Sequence, residues 1–221
     1  MKKNKVLFIS YDGLCDQLGQ SQIIPYFIEL RKKYEIHILS FEKKNNLDDH
    51  KINIINSNFI WTYRYFNSSN YKLIKLLDYL KLFFLTIYII KKNQIILCHG
   101  RGYVPSLIIY FVKFFLNIKF IFDIRGFWPD ERVDTKQLKL NKFTDYFVYK
   151  ILKKLENKMI YSADHIVVLT NKAQKIITKY NKNITVIPCA TDFSLFNNNK
   201  TANNFFMSKK YFKYKNKRIF C

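Results

Sequence analysis

The segment FIFDIRGFWPDER, Phe120 to Arg132, runs from a short apolar stretch straight into Asp123, Arg125, Asp130, Glu131 and Arg132, with Gly126 and Pro129 among them. A hydrophobic strand that ends in clustered charge places reactive groups on a rigid edge, the usual position for ligands in open α/β sheets. In that position Asp123 could orient or deprotonate a hydroxyl, and Arg125 could hold a phosphate or carboxylate. The structural alternative is an Asp–Arg pair that only pins the loop. Because Gly126 and Pro129 shape the same loop, the functional reading is preferred, with Asp123 as catalytic candidate and Arg125 and Glu131 as substrate-binding candidates.

Two other turns carry chemistry. CHGRGY places His99 and Arg101 after another apolar run, where an Arg beside two glycines can approach a phosphate and a His can act as base or donor. A flexible turn with a solvated Arg is the alternative; it is favoured slightly for His99, whereas Arg101 is the stronger candidate. The first turn, YDGLCDQLGQS, holds Asp12, Gly13, Gly19 and Ser21, whose backbone N–H groups and helix start suit an anion or a sugar hydroxyl. Its glycines are six residues apart, so it is no GxGxxG dinucleotide fingerprint. Two turn glycines and an ordinary helix start explain Gly19 and Ser21 equally well.

The elements that must position these turns alternate between strand and helix. Strands are expected at 5–10, 35–40, 52–56, 94–98, 119–123, 165–170 and 184–188. Helices are expected at 20–33, with Ile23, Phe27 and Leu30 on one face, and at 71–91 after a polar NSSN start at 67–70. Further helices are expected at 105–117, 142–161 and 172–180, with a long loop after 123. Apolar strands alternating with helices predict an α/β fold, a doubly wound, mostly parallel, Rossmann-like sheet with helices on both faces. From Thr191 the pattern breaks down, and the final KNKRIFC reads as a lead-in to a new strand.

With 221 residues and 49% hydrophobic content the chain can bury a core. Lys plus Arg number 38 against 16 Asp plus Glu, a net charge of +22 that favours anionic partners. An anionic membrane surface fits that charge. Nucleic acid is disfavoured, because no Lys/Arg cluster lies on a recognition helix. The helices KLLDYLKLFFLTIYIIKK and SLIIYFVKFFLNIK mix Lys with apolar residues, which suits a lipid surface or burial between strands; burial is preferred for the second. Interruption by Lys72, Lys75, Asp78 and Lys81 argues against a span, which needs ~20 mainly apolar residues. Cys15, Cys98, Cys189 and Cys221 show no metal spacing, so no metal site is expected and a reduced, cytoplasmic setting is the default.

Five motifs together, DGLCDQLGQSQIIPY, LSFEK, FDIRGFWPDER, ADHIVVLT and ITVIPCATDFSLF, resemble in order the N-terminal domain of family 4 glycosyltransferases, over roughly residues 5 to 197. The resemblance implies a single N-terminal domain of the GT-B architecture over residues 1–190. Residues 191–221 would form an interdomain linker and the start of a C-terminal domain, as though the chain were cut short there. It also implies retaining transfer of a sugar from a nucleotide-sugar donor to a sugar or lipid-linked acceptor, with no cofactor. Such transfer would serve surface-polysaccharide or glycolipid assembly at the cytoplasmic face of a membrane. The Gly19 loop would border the donor phosphates and the acceptor, and Asp123 and Arg125 would line the cleft. Many members carry a functional His after the fifth strand, where this chain has Asp123 and Arg125. The Glu-x7-Glu pair of the family's second domain has no counterpart here, so the chain alone is expected to be inactive. A non-catalytic membrane-associated or scaffold module is the alternative.

Overall fold

The structure, a computed structural model, describes residues 3–65 and 72–190. The expected NSSN helix start at 67–70 and the linker and strand at 191–221 lie outside the described residues.

Seven strands form one sheet, all parallel: β1 (Asn4–Ser10), β2 (Tyr34–Glu42), β3 (Ile60–Tyr65), β4 (Leu97–Arg101), β5 (Lys119–Ile124), β6 (His165–Val168) and β7 (Ile184–Val186), in the order β3-β2-β1-β4-β5-β6-β7. Both sheet faces are covered, which explains why the central strands are continuous apolar runs and not alternating ones. On one face Val6, Phe8, Ile36 and Ile38 pack with Ile23, with Ile24 and Phe27 of α1 (Ile24–Leu30), and with Ile55 of α2 (Asp49–Asn58). On the other, Leu7, Ile9, Leu39, Cys98, Phe120, Phe122 and Ile166 bury against α3 (Lys72–Asn93), α4 (Tyr103–Val112) and α6 (Phe143–Ser162). The doubly wound, Rossmann-like expectation therefore holds.

Three element assignments are corrected. Residues 52–56, read as a strand, lie inside α2: Asp48 accepts from the His50 and Lys51 N–H groups and caps the helix, so the run INII spirals and buries Ile55. The third strand is the Trp/Thr/Tyr-rich β3. The "long loop" after Asp123 contains α5 (Trp128–Asp134), begun by Pro129 in its first turn with Asp130 and Glu131 beside it, the residue types that a helix N-terminus favours. The expected 20–33 helix begins with a wide turn at Gly19–Ile23, closed by the Ile24 N–H on the Gly19 carbonyl, before Pro25 opens α1.

The ADH motif has a structural use. Asp164 accepts from the Phe120 N–H at 2.8 Å and from Lys113 and Lys119, tying the start of β6 to β5. Burial alone would raise its carboxyl, but these donors outweigh it and hold the pKa below the ordinary value.

Candidate functional site

The chain leaves β1 toward β2 on one side and reaches β4 on the other, so the strand order reverses between β1 and β4. In open α/β sheets ligands bind outside the carboxyl ends of the strands at that reversal. There Ser10 ends β1 and Arg101 ends β4, while Asp123 is the register partner of Arg101 on β5.

The side chains at this edge form a connected set. Arg101 Nε stands 3.4 Å from Asp12 Oδ2, and Arg101 Nη2 donates to Gln22 Oε1 at 3.2 Å. Arg125 Nη2 donates to the same Gln22 oxygen at 3.2 Å, and Arg125 Nη1 stands 3.5 Å from Asp123 Oδ1. The sequence Asp12, Arg101, Gln22, Arg125, Asp123 thus alternates acceptors with donors. Two cations face two carboxylates, so the set is balanced in charge, and its forked guanidiniums and paired oxygens match the mixed donor and acceptor needs of a polyhydroxylated ligand.

Asp123 is 5% exposed. His99 Nε2 lies 3.6 Å from its Oδ2, longer than a hydrogen bond, and is a buried nitrogen with no hydrogen-bond partner. His99 sits against Phe8, ring edge to face at 5.0 Å, two residues deeper in the sheet than Arg101. Burial would raise the Asp123 carboxyl, but His99, Arg125 and Arg101 together overcome it and hold its pKa below the ordinary value. A carboxylate held low is a weak proton acceptor and a good hydrogen-bond acceptor, which suits orienting a hydroxyl. Arg101 is shifted down by burial and by the charge of Arg125, with Asp123 and Asp12 opposing.

The fold therefore brings together five of the residues singled out from sequence: Asp12, His99, Arg101, Asp123 and Arg125. Glu131 is exposed in the first turn of α5 beside Gly126, and it lines a cleft of about 310 Å³ that Arg125 also borders. The Ser21 hydroxyl is used locally, donating to the Gln17 carbonyl at 2.7 Å. Gln22, one residue on, is the group that joins the two arginines. No three His, Cys, Asp or Glu side chains converge as a metal-binding set among the described residues.

The first turn is held from the neighbouring strand. Glu42, fully buried at the end of β2, accepts from Leu14 N–H at 2.7 Å, Cys15 N–H at 3.1 Å and the Ser40 hydroxyl at 2.6 Å. Asp16 accepts from Lys43 and Asn46, and Lys51 reaches the Cys15 carbonyl. Gly19 lies under the same turn: a Cβ there would stand 2.2 Å from the Gly13 carbonyl oxygen and 2.5 Å from Leu14 Cα. Gly19→Ala is expected to cost about 3 kcal/mol in urea unfolding, because backbone, not a flexible side chain, would have to move. An unchanged midpoint would show that the turn can shift freely.

A parallel sheet of this order, with a hydrogen-bonding edge at its reversal point, defines a Rossmann-like domain of the GT-B type. The model of Glycosyltransferase Family 4 matches residues 28–195, and the chain belongs to that family. Among solved structures it is similar to sucrose-phosphate synthase from Thermosynechococcus elongatus, with TM-score 0.56 and 12% identity over 87% of this chain and 50% of that one. It is also similar to a putative UDP-N-acetylglucosamine 2-epimerase from Listeria monocytogenes, with TM-score 0.55 and 14% identity over 84% and 45%. A third is HepE from Anabaena, solved in complex with UDP and glucose, with TM-score 0.53 and 11% identity over 92% and 49%. The chain spans about half the length of these three. A synthase and an epimerase on one fold show that the fold alone does not set the reaction. No curated protein matches the chain at a significant level.

Proposed function

We propose that this chain forms the acceptor side of a retaining glycosyltransferase that moves a sugar from a nucleotide-sugar to an acceptor hydroxyl in surface-polysaccharide or glycolipid assembly. The observation that carries the reading is the alternating set Asp12, Arg101, Gln22, Arg125, Asp123 at the strand-order reversal. Family membership supports sugar transfer in general, and the UDP and glucose bound by HepE support a nucleotide-sugar donor. Residues 1–190 would be the acceptor-side domain, and 191–221 would lead toward a donor-binding half. Asp123 orients the acceptor hydroxyl; Arg125 and Arg101 position its oxygens; His99 supports Asp123 from below; and the Gly19 turn borders the donor phosphates. The setting proposed for the chain is cytoplasmic; Cys15 and Cys98 lie buried in cores on opposite sheet faces.

The chain incubated with radiolabelled nucleotide-sugars and a membrane extract is expected to transfer no label, and label is expected once the donor-binding half of a family member is supplied, fused or separate. Transfer by the 221-residue chain alone would overturn the half-site reading. Transfer that survives Arg101→Gln combined with Arg125→Gln in the assembled enzyme would overturn the site, because two lost donors at an acceptor should cost about a hundredfold.

A further inference from the structure

Helices α3, α4 and α6 lie side by side on one sheet face, so their outward surfaces form one side of the sheet domain. That side is unusually apolar. On α3 the exposed residues Leu77, Leu80, Phe84 and Tyr88 fall at helical spacing on one stripe, Phe84 being 65% exposed. After α4 come Phe114 and Phe115, the latter 71% exposed and edge-on to Phe83 of α3. On α6, Phe143, Phe147 and Ile151 repeat every four residues, and Phe143 is 84% exposed. Isolated exposed apolar residues need no explanation, whereas a surface shared by three helices marks an interaction site.

The charges on this side have one sign. Lys81, Lys91 and Lys92 share the exposed stripe of α3, and Lys150, Lys154 and Lys158 that of α6. The acidic residues of the three helices, Asp78, Asp145 and Glu156, are half-buried or buried. Lysine interleaved with aromatic residues distinguishes the occupant: protein interfaces are depleted of lysine at their centres, while amphipathic surfaces that lie on lipid are rich in it. No helix among the described residues is long and apolar enough to cross a membrane, so the arrangement is one that lies on a surface.

An apolar cavity of about 450 Å³ opens between these helices, walled by Tyr79, Leu80, Phe83, Phe111, Trp128 and Leu152. Its Trp128 wall is three residues from Arg125, and Trp128 stacks on Tyr103, two residues from Arg101. The cavity and the hydrogen-bonding edge therefore share two chain segments, the start of α4 after Arg101 and the start of α5 after Arg125.

We propose that the outer face of α3, α4 and α6 docks on an anionic lipid bilayer, with the lysines at the headgroups and one hydrocarbon chain entering the Trp128 cavity. This docking holds the sheet edge within reach of a membrane-borne acceptor and is measured without sugar transfer, so it stands or falls apart from the proposed reaction. The test is sedimentation of the 221-residue chain with vesicles of equimolar phosphatidylglycerol and phosphatidylcholine, against pure phosphatidylcholine. Binding is expected to the anionic vesicles. It should weaken about fivefold for each of Lys91→Gln and Lys92→Gln and at least about tenfold in Phe84→Glu combined with Phe115→Glu. These side chains are exposed, so circular dichroism should report an unchanged fold. In a Trp61→Phe background, acyl-brominated lipids should quench Trp128. Absence of binding, or binding indifferent to the Phe84 and Phe115 changes, would overturn the docking face; self-association lost in those variants without vesicle binding would assign the face to a second copy instead. Binding without Trp128 quenching would overturn the cavity's role.

Discussion

Glu42→Ala should lower the unfolding free energy by about 3–5 kcal/mol, the sum expected for two orphaned backbone donors and the cavity left beneath the turn. Glu42 is 28 residues from Leu14 in sequence, yet its two oxygens take both N–H groups of Leu14 and Cys15 together with the Ser40 hydroxyl. Ser40 in turn accepts from Trp61 Nε1 at 2.9 Å, so the network reaches from the first turn through β2 to β3. Removing the carboxyl leaves two backbone donors buried without acceptors, each costing about 1–3 kcal/mol, and opens a cavity beneath the turn. Glu42→Gln keeps an oxygen for Leu14 and Ser40 but turns an amide toward Cys15, so a loss of about 1–2 kcal/mol is expected. A second readout is the Cys15 thiol, pushed up to about 11 by burial and by Glu42, with Lys51 opposing. In Glu42→Ala the thiol should titrate lower and react faster with an alkylating probe. A loss below about 1 kcal/mol with unchanged thiol reactivity would show that the turn holds its shape through Asp16 and Lys51 alone.

This network was legible only in part. The apolar strands declared themselves by composition, because a sheet covered on both faces needs unbroken hydrophobic runs, and β1, β2 and β5 fell close to where they were expected. Where local pattern competed with capping, pattern misled: the isoleucines of 52–56 look like a strand, but Asp48 starts a helix ahead of them. The helix α5 was hidden because its seven residues carry too little apolar periodicity, although Pro129 followed by two acidic residues was a signal for it.

The site shows the same division. Asp123, Arg101 and Arg125 could be read as a cluster because each follows an apolar run, and parallel register then places Arg101 opposite Asp123. Glu42 gives the same signal, a charge ending the apolar run IHILSF, and the rule that finds Asp123 finds it too. Gln22 gives no such signal. It is one polar residue among four at a helix start, and its use depends on two arginines 79 and 103 residues away meeting at one point, which periodicity does not encode. The exposed apolar surface of α3, α4 and α6 lay between these extremes. Lysines mixed with aromatics were visible in two helices, but only packing separates the buried face of α4, with Ile108, Ile109 and Val112, from exposed Phe114 and Phe115.

Asp123→Asn is expected to reduce sugar transfer by the assembled enzyme about a hundredfold, the cost of a misplaced reacting group. The carboxylate lies between His99 and Arg125 and is the deeper of the two acids facing Arg101 and Arg125. In the proposed role it orients the acceptor hydroxyl and does not touch the donor, so the loss should fall on turnover more than on donor affinity. The substitution also removes one of two negative charges opposite two guanidiniums, and an unfolding cost of about 3 kcal/mol is expected at neutral pH. The sign with pH follows from the direction of the shift. A carboxyl whose folded pKa lies below its unfolded value binds fewer protons in the folded state, so its contribution is fully present above the unfolded value, near 3.8, and is lost as pH falls through the folded one. The stability gap between the native protein and Asp123→Asn should therefore be constant above about pH 5 and close in stronger acid. A gap that instead widened in acid would mean that Asp123 is held protonated by burial, and its place in the site would pass from orienting acceptor to hydrogen-bond donor.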